Sequence, residues 1–344
     1  MDLLSCNIIE KDCNNDVLWA WTYPSIRDVQ KKLILRKCSF DLAHPFLYGR
    51  YKNEWFYISC TEVFESDSLP GVKQFALVVW SKDFNPEKYE TFCRILSKTY
   101  CKTGNPAMLL KLFLSVITRG ACTTEENGTY FTKDFERSSL QNNATMVRDL
   151  IKLFGLQTIV IYTALLLKKR LVVYHHSLPH LLKWVHTFPA LMAHRPEAEL
   201  LHPWLDLCPD EVDQLINSQS YIVGCSDSRI LSRVDLFDVL VNLPAREITI
   251  APHAKESLSM TKAHKEIALF LVQMAEREDL AEAQIVSEVA DKTQELLAHL
   301  RSLASEEPSG DKKFVSVESL RVKKFSPAVE GFLLQLALAE NLLA

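Results

Sequence analysis

The stretch 156–177, LQTIVIYTALLLKKRLVVYHHS, leaves few choices of fold. Leu156, Ile159, Val160, Thr163, Leu166 and Leu167 recur at three- and four-residue steps, which places them on one helical face. Ile161, Tyr162 and Leu165 make the other side apolar as well, so this helix must be covered nearly all round. Lys168, Lys169 and Arg170 close it with charge that suits a helix C-terminus. Residues 171–174 then form a short, wholly apolar run, as expected of a strand covered on both faces. Ser177 can cap a following helix, with Pro179 tolerated in its first turn. Helix, buried strand and helix together make the unit of a layered α/β domain.

The N-terminal third reads differently. Residues 17–23, VLWAWTY, predict a strand ending at Pro24, and 25–38 a mixed helix-like segment with Val29, Leu33 and Leu35 partly periodic. Residues 44–63 predict a hairpin turning at Lys52–Asn53, and 72–80 a further strand. Asn85 and Pro86 start a helix with Tyr89, Phe92, Ile95, Leu96 and Tyr100 on one face. A second helix over 106–118 turns Leu109, Leu112, Phe113 and Val116 inward. Residues 1–120 are thus expected to be an α+β lobe, and the polar stretch 121–141 a linker. A central lobe over 142–252 follows. It opens with a helix carrying Met146, Leu150, Leu153 and Phe154 inward, includes a strand over 221–224 and ends in a hairpin turning at 243–246. Its segment 189–210 holds four prolines and is expected to be irregular. Residues 253–344 are expected to be helical.

Composition narrows function. The chain has 344 residues, 48% apolar and 24% charged, and so can bury a real core. A net charge of −4 and the lack of a basic, aromatic-interleaved stripe argue against nucleic acid as partner. The first residues, MDLLSCNIIEKDCNND, have no basic n-region or sustained apolar run, so no signal peptide is expected. The apolar run 156–167 is shorter than a membrane span. The nine cysteines are scattered and form no CxxC, which predicts reduced, mostly buried thiols in a cytoplasmic chain. The sequons at Asn127 and Asn143 would then stay unused.

Catalytic chemistry is hard to place. The sequence holds no GxxxxGK[ST], GxSxG, HExxH or GxGxxG. His175, His176 and His180 suggest a metal cluster, but His175 is expected to end a strand and point away from the other two. Asp206, Asp210, Glu211 and Asp213 form an acidic knot that either caps a helix near Pro209 or is solvated. The acidic helix 276–295 and the basic run Arg321, Lys323 and Lys324 read as solvated faces or as partner-facing charge. No catalytic residue, cofactor or metal site is expected.

The order of these parts resembles the tripartite DENN module. ATMVRDLIKLFGLQTIVIYTALLLKKRLVVYHHSLPHLLKWVHTF at 144–188 is similar to its central pattern, HPWLDLCPDEVDQLINSQSYIVGCSD at 202–227 to its downstream segment, and DVLVNLPAREITIAP at 238–252 to its hairpin. VLWAWTYP and FALVVW resemble strands of the longin-like N-terminal part. The resemblance implies a longin-like lobe, a layered central DENN lobe and a helical tail, hence an α/β fold overall. It also implies a guanine-nucleotide exchange factor for a Rab-family small GTPase in endosomal vesicle trafficking, with no covalent catalysis. Such a protein would be cytoplasmic, recruited peripherally to late-endosomal membranes, with both α/β lobes contributing to the grip. Two departures bear on activity: Ser220 stands where the family often has proline, and Asn242 where it often has Asp. Among candidate contact residues, Trp184 flanks the inward stripe Leu178, Leu181, Leu182, Val185 and Phe188, and Trp55 lies in the first hairpin. Either can instead be core. A scaffold subunit binding a coiled-coil partner in a large trafficking complex is the alternative function, and a small-molecule enzyme the third.

Overall fold

The computed structural model describes residues 2–64, 66–126, 128–135, 145–195, 200–306, 313–315 and 317–343. Asn127 and Asn143 lie outside the described residues. The chain divides into two compact units, Met1–Ser139 and Leu140–Ala344. The expected central lobe and helical tail therefore fall within one unit.

The first unit is built on alternation and tight turns. Strands β1 (Leu3–Asp12) and β2 (Val17–Tyr23) are followed by helix α1 (Asp28–Lys37), then by β3 (Phe46–Tyr51), β4 (Glu54–Glu62) and β5 (Val72–Ser81). The strands form one antiparallel sheet in the order β2-β1-β5-β4-β3. Lys52 takes positive φ between β3 and β4, as a two-residue hairpin turn requires. Helices α2 (Pro86–Thr103) and α3 (Pro106–Arg119) start at Asn85 and Asn105, whose side chains accept from the Lys88 and Ala107 amides. Tyr89, Phe92, Ile95, Leu96 and Tyr100 are buried on α2, and Leu109, Leu112, Phe113 and Val116 on α3. Aromatic packing fills the space between sheet and helices, with Tyr57 stacked on Tyr89 at 4.4 Å and Phe75 edge-on to Tyr100 at 5.0 Å.

The partial period of α1 does not mark its buried face, and one expectation fails in this unit. Val29 and Leu35 of α1 are exposed, while Gln30, Leu33, Ile34 and Lys37 are buried. Gln30 holds an inward position because its Nε2 donates to Glu54 Oε2 of β4 at 2.6 Å. Residues 121–135, expected as linker, instead form the hairpin β6 (Ala121–Thr124) and β7 (Gly128–Phe131) and a 3-10 turn. Tyr130 stacks on Phe92 at 5.4 Å, and Asn85 Nδ2 donates to the Phe135 carbonyl at 3.0 Å. Each strand has one buried residue, Cys122 and Tyr130, too sparse a pattern to read. The remainder of the expected linker, 136–141, lies outside the described residues.

The second unit opens with α4 (Val147–Phe154), a 3-10 turn, α5 (Thr158–Leu166) and β8 (Arg170–Tyr174). Then come α6 (Leu178–Val185), α7 (Thr187–Ala190), β9 (Leu201–Leu205), α8 (Pro209–Ile216), β10 (Tyr221–Cys225) and the hairpin β11 (Val239–Asn242) and β12 (Glu247–Ile250). The sheet order is β12-β11-β8-β10-β9, parallel except for β12. β9 runs through the segment expected to be irregular. Pro203 is tolerated because β9 is an edge strand and its register with β10 shifts there. Burial leaves α5 covered nearly all round, as its composition requires, although Leu156 is exposed and Val160 half-buried. With α4 it makes a twenty-residue stretch, Val147–Leu166, apolar enough by length and composition for a membrane span, but most of it is buried inside the protein.

Helices α9 (Lys262–Glu276) and α10 (Glu282–Ser302) pack on α4 and α5; a short ladder β13 (Ser305–Glu306) with β14 (Lys313–Phe314), then α11 (Val317–Val322) and α12 (Pro327–Ala339), complete the chain. Polar ties join these helices to the sheet lobe. Arg148 donates to the Ala275, Arg277 and Leu280 carbonyls where α9 ends, and Glu282 accepts the Val147 and Arg148 amides where α4 begins. Tyr162 and Thr293 hydroxyls meet at 2.7 Å, and Lys169 reaches Gln335 at 2.6 Å.

Candidate interaction surfaces

In the first unit the most exposed apolar strand is β2. Val17 and Leu18 are 46% and 65% exposed, and Tyr23 also faces solvent. β2 pairs with β1 on one side and, among the described residues, with no strand on the other. A bulge between Ile8 and Ile9 of β1 pairs Trp21 with Ile8 and Trp19 with Ile9, so the two half-buried tryptophans leave opposite faces of the sheet. Trp19 lies under Lys31 of α1 at 6.0 Å. Trp21 stacks with Tyr23, whose ring meets Phe113 of α3 edge-on at 6.2 Å. Exposed Val29 and Leu35 extend apolar surface onto α1. An edge strand with aromatic and aliphatic side chains offers main-chain groups and an apolar footing to a protein partner. The signal was present in VLWAWTY, where Trp19, Trp21 and Tyr23 alternate but Leu18 and Ala20 place further apolar side chains between them.

Trp55 is placed elsewhere. It is 4% exposed, packed on Phe84 at 4.3 Å and covered by the Arg50 guanidinium at 5.6 Å. Its position is core, and a partner reaches it only if the hairpin opens.

In the second unit Trp184 is half-exposed on α6, whose Leu181, Leu182 and Val185 are buried against the sheet. The helix sits close to β10: a Cβ at Gly224 would lie 2.3 Å from the Pro203 carbonyl oxygen and 3.2 Å from Leu181 Cγ, so only glycine fits. His180, one turn before Trp184, shares its face. Contrary to expectation, His175 does not point away. Its ring stacks on His176 at 4.5 Å and on His180 at 5.2 Å, with interplanar angles of 27° and 11°. His175 Nδ1 accepts the Ser177 amide, and His180 Nδ1 pairs with Ser177 Oγ, each at 2.9 Å. Ser177 thus begins α6 without a cap bond from its side chain, although its carbonyl accepts the Leu181 amide at 2.9 Å. Burial, then the neighbouring imidazoles, lower the pKa of His175. Near-parallel rings cannot converge their nitrogens tetrahedrally, and no group spaced for a metal occurs among the described residues.

The amino edge of the same sheet is locked. The Arg170 guanidinium donates to Asp238 Oδ1 at 2.9 Å and its amide to Oδ2 at 2.8 Å, while His253 Nε2 lies 2.8 Å from Oδ1. Burial raises the pKa of Asp238, but these partners outweigh it and hold the carboxyl below its ordinary range. Arg170, in the basic triplet read as a helix stop, is a sheet clamp. Within the acidic knot, Glu211 is buried and accepts the Asp206 amide at 3.2 Å.

The family described as SPA, Stabilization of polarity axis, matches residues 144–252, from the approach to α4 through β12. The chain is 43% identical to the DENN domain-containing protein 10 of Danio rerio over 99% of its own length and 98% of that protein. It is 41% identical to the human protein of the same description, over 99% and 96%, and 33% identical to that of Dictyostelium discoideum, over 98% and 97%.

The chain belongs to the DENN domain-containing protein 10 family. Within this DENN-family fold, Ser220 immediately precedes β10, and Asn242 closes β11, where its Oδ1 accepts the Ala245 amide at 3.3 Å and shapes the hairpin turn. An Asp side chain would offer the same acceptor.

Proposed function

We propose that this protein is a guanine-nucleotide exchange factor for a Rab-family small GTPase. It would act from the cytoplasm, recruited peripherally to late-endosomal membranes. The observation that carries the reading is the end-to-end similarity to DENN domain-containing proteins, a module whose resemblance implies Rab partners. Exchange asks for no nucleophile. It asks for a surface that binds the nucleotide-free GTPase more tightly than the loaded one, because only differential affinity shifts that equilibrium. The β2 edge with α1, and the His180–Trp184 face of α6, supply the aromatic and apolar groups that interface cores favour. The test is release of fluorescent GDP from a panel of Rab proteins, with and without the full chain. Acceleration for at least one Rab is expected, with capture of its nucleotide-free form; no response and no capture across the panel overturns the reading.

A second reading is a scaffold subunit for a coiled-coil partner. The observation favouring it is apolar exposure on the terminal helices, with Leu269, Val322 and Leu338 at 53%, 78% and 64%. Co-elution from cells in a stable large complex, without exchange activity, would establish that alternative.

A further inference from the structure

We propose that Cys38 and Cys60 form a dithiol site that a hydroperoxide converts to a disulfide. Cross-strand register places Ile9, Ala76 and Cys60 in one row, on one face of the first sheet. Trp19, opposite Ile9, carries Lys31 of α1, and Lys11, two residues along, lies over the Phe40 ring at 5.8 Å. Helix α1 and its C-terminal turn therefore cover the face to which Cys60 belongs. Cys38 is the C-cap of α1, where the backbone leaves the helix. Its side chain hydrogen-bonds to that of Cys60, and the Phe40 backbone is hydrogen-bonded to both cysteines. Phe40 takes φ of 54°, a left-handed conformation that a non-glycine residue adopts only where its surroundings enforce it.

This environment differs from that of the other interior cysteines. Burial pushes the Cys6 thiol up to about 12 and Cys122 to about 11, and raises Cys93 as well, so these stay protonated and inert. At the pair, the Cys38 hydrogen bond lowers Cys60 while the same bond raises Cys38, so Cys60 is the sulfur that gives up its proton first.

The Cys60 thiolate attacks one peroxide oxygen, the O–O bond breaks, and hydroxide or alkoxide leaves with the electron pair, giving a sulfenic acid. The Cys38 sulfur then attacks the Cys60 sulfur and the S–O bond breaks. The hydroxide that leaves takes the Cys38 proton and departs as water, and the S–S bond forms. The peroxide is reduced by two electrons and the thiol pair is oxidised by the same two. The product ties the end of α1 to β4.

The experiment treats the full chain with increasing hydrogen peroxide, blocks residual thiols by alkylation and maps peptides without reduction. The expected result is a joined Cys38–Cys60 peptide that appears before Cys6, Cys93 or Cys122 is modified and is reversed by dithiothreitol. In Cys38→Ser, dimedone should label Cys60; in Cys60→Ser, no label should accumulate at Cys38. Circular dichroism checks the fold of each variant, and the wild-type mapping stands by itself if either misfolds. Absence of the joined peptide while exposed Cys13 oxidises, or its appearance no earlier than random cysteine pairs, overturns the proposal.

Discussion

The two sheets hold themselves together by different means. The antiparallel sheet of the first unit is packed by aromatic rings, and its edge strand β2 leaves aliphatic side chains in water. The largely parallel sheet of the second unit is apolar through β8 and β10 and is fastened at its amino edge by the ion pair of Arg170 with Asp238, while Arg195, which also donates to the carbonyls at the end of α5, pairs with Glu340 after α12 at 3.0 Å. The contrast has a simple physical origin. An antiparallel strand needs only its neighbour, so an edge can be left open for another chain. A parallel strand needs a crossover, which brings helix ends, charged linkers and their backbone groups to the sheet margins, where they must be satisfied.

The sharpest way to break the second arrangement is to charge its central helix. Leu166 is 1% exposed, so Leu166→Arg strands a cation in the interior at a cost of several kcal/mol, against a total of about 5–15 kcal/mol. Insoluble protein, or loss of the cooperative melting transition, is expected; an unchanged melting curve would show that α5 is not interior.

Removing the ionic clamp should cost less. Asp238→Asn leaves Arg170 without its counter-charge, and since the two side chains are 12% and 25% exposed, a loss of about 2–3 kcal/mol is expected in urea unfolding. The sign of the pH effect follows from the carboxyl pKa being lower folded than unfolded. The contribution of Asp238 is full above its ordinary value of 3.8 and drains away as pH falls through the lower folded value. The wild-type protein should therefore lose stability in acid more steeply than Asp238→Asn.

The same substitution can be made in both sheets. Gly49→Ala would bring a methyl to 2.3 Å from the ring of Phe56, which is fully buried, and Gly224→Ala would press the Pro203 carbonyl of edge strand β9. Each should destabilise by about 1–3 kcal/mol. Hydrogen exchange should separate them: Gly224→Ala opens β9 locally, whereas Gly49→Ala lowers protection across the whole first sheet. Equal, global effects would remove the distinction between an edge that can yield and a core that cannot.

The smallest effect on stability and the most specific effect on binding are expected at β2. Leu18→Glu replaces a side chain that is 65% exposed, so the melting temperature should barely move, within about 0.5 kcal/mol. Capture of the nucleotide-free Rab should fall at least tenfold if β2 is a footing for the partner. Unchanged capture would shift attention to the α6 face, where Trp184→Ala is the corresponding probe.

Much of this was legible from the chain alone. The apolar surround of α5, the inward stripes of α2 and α3, the hairpin at Lys52 and the strand ending in Gly224 all follow from period and turn chemistry, because those signals are local. What the sequence could not decide was which polar residues would be taken inside and which apolar ones left out. Gln30 of α1 is buried because Glu54 of β4 accepts its side chain, and Val29 is exposed as a consequence. Arg170 looked like a helix stop until Asp238, far along the chain, stood beside it. The three histidines stack, and Cys38 meets Cys60, only because a strand end or a helix end is folded back on its neighbours. Such pairings depend on partners distant in sequence, and periodicity carries no information about who those partners are.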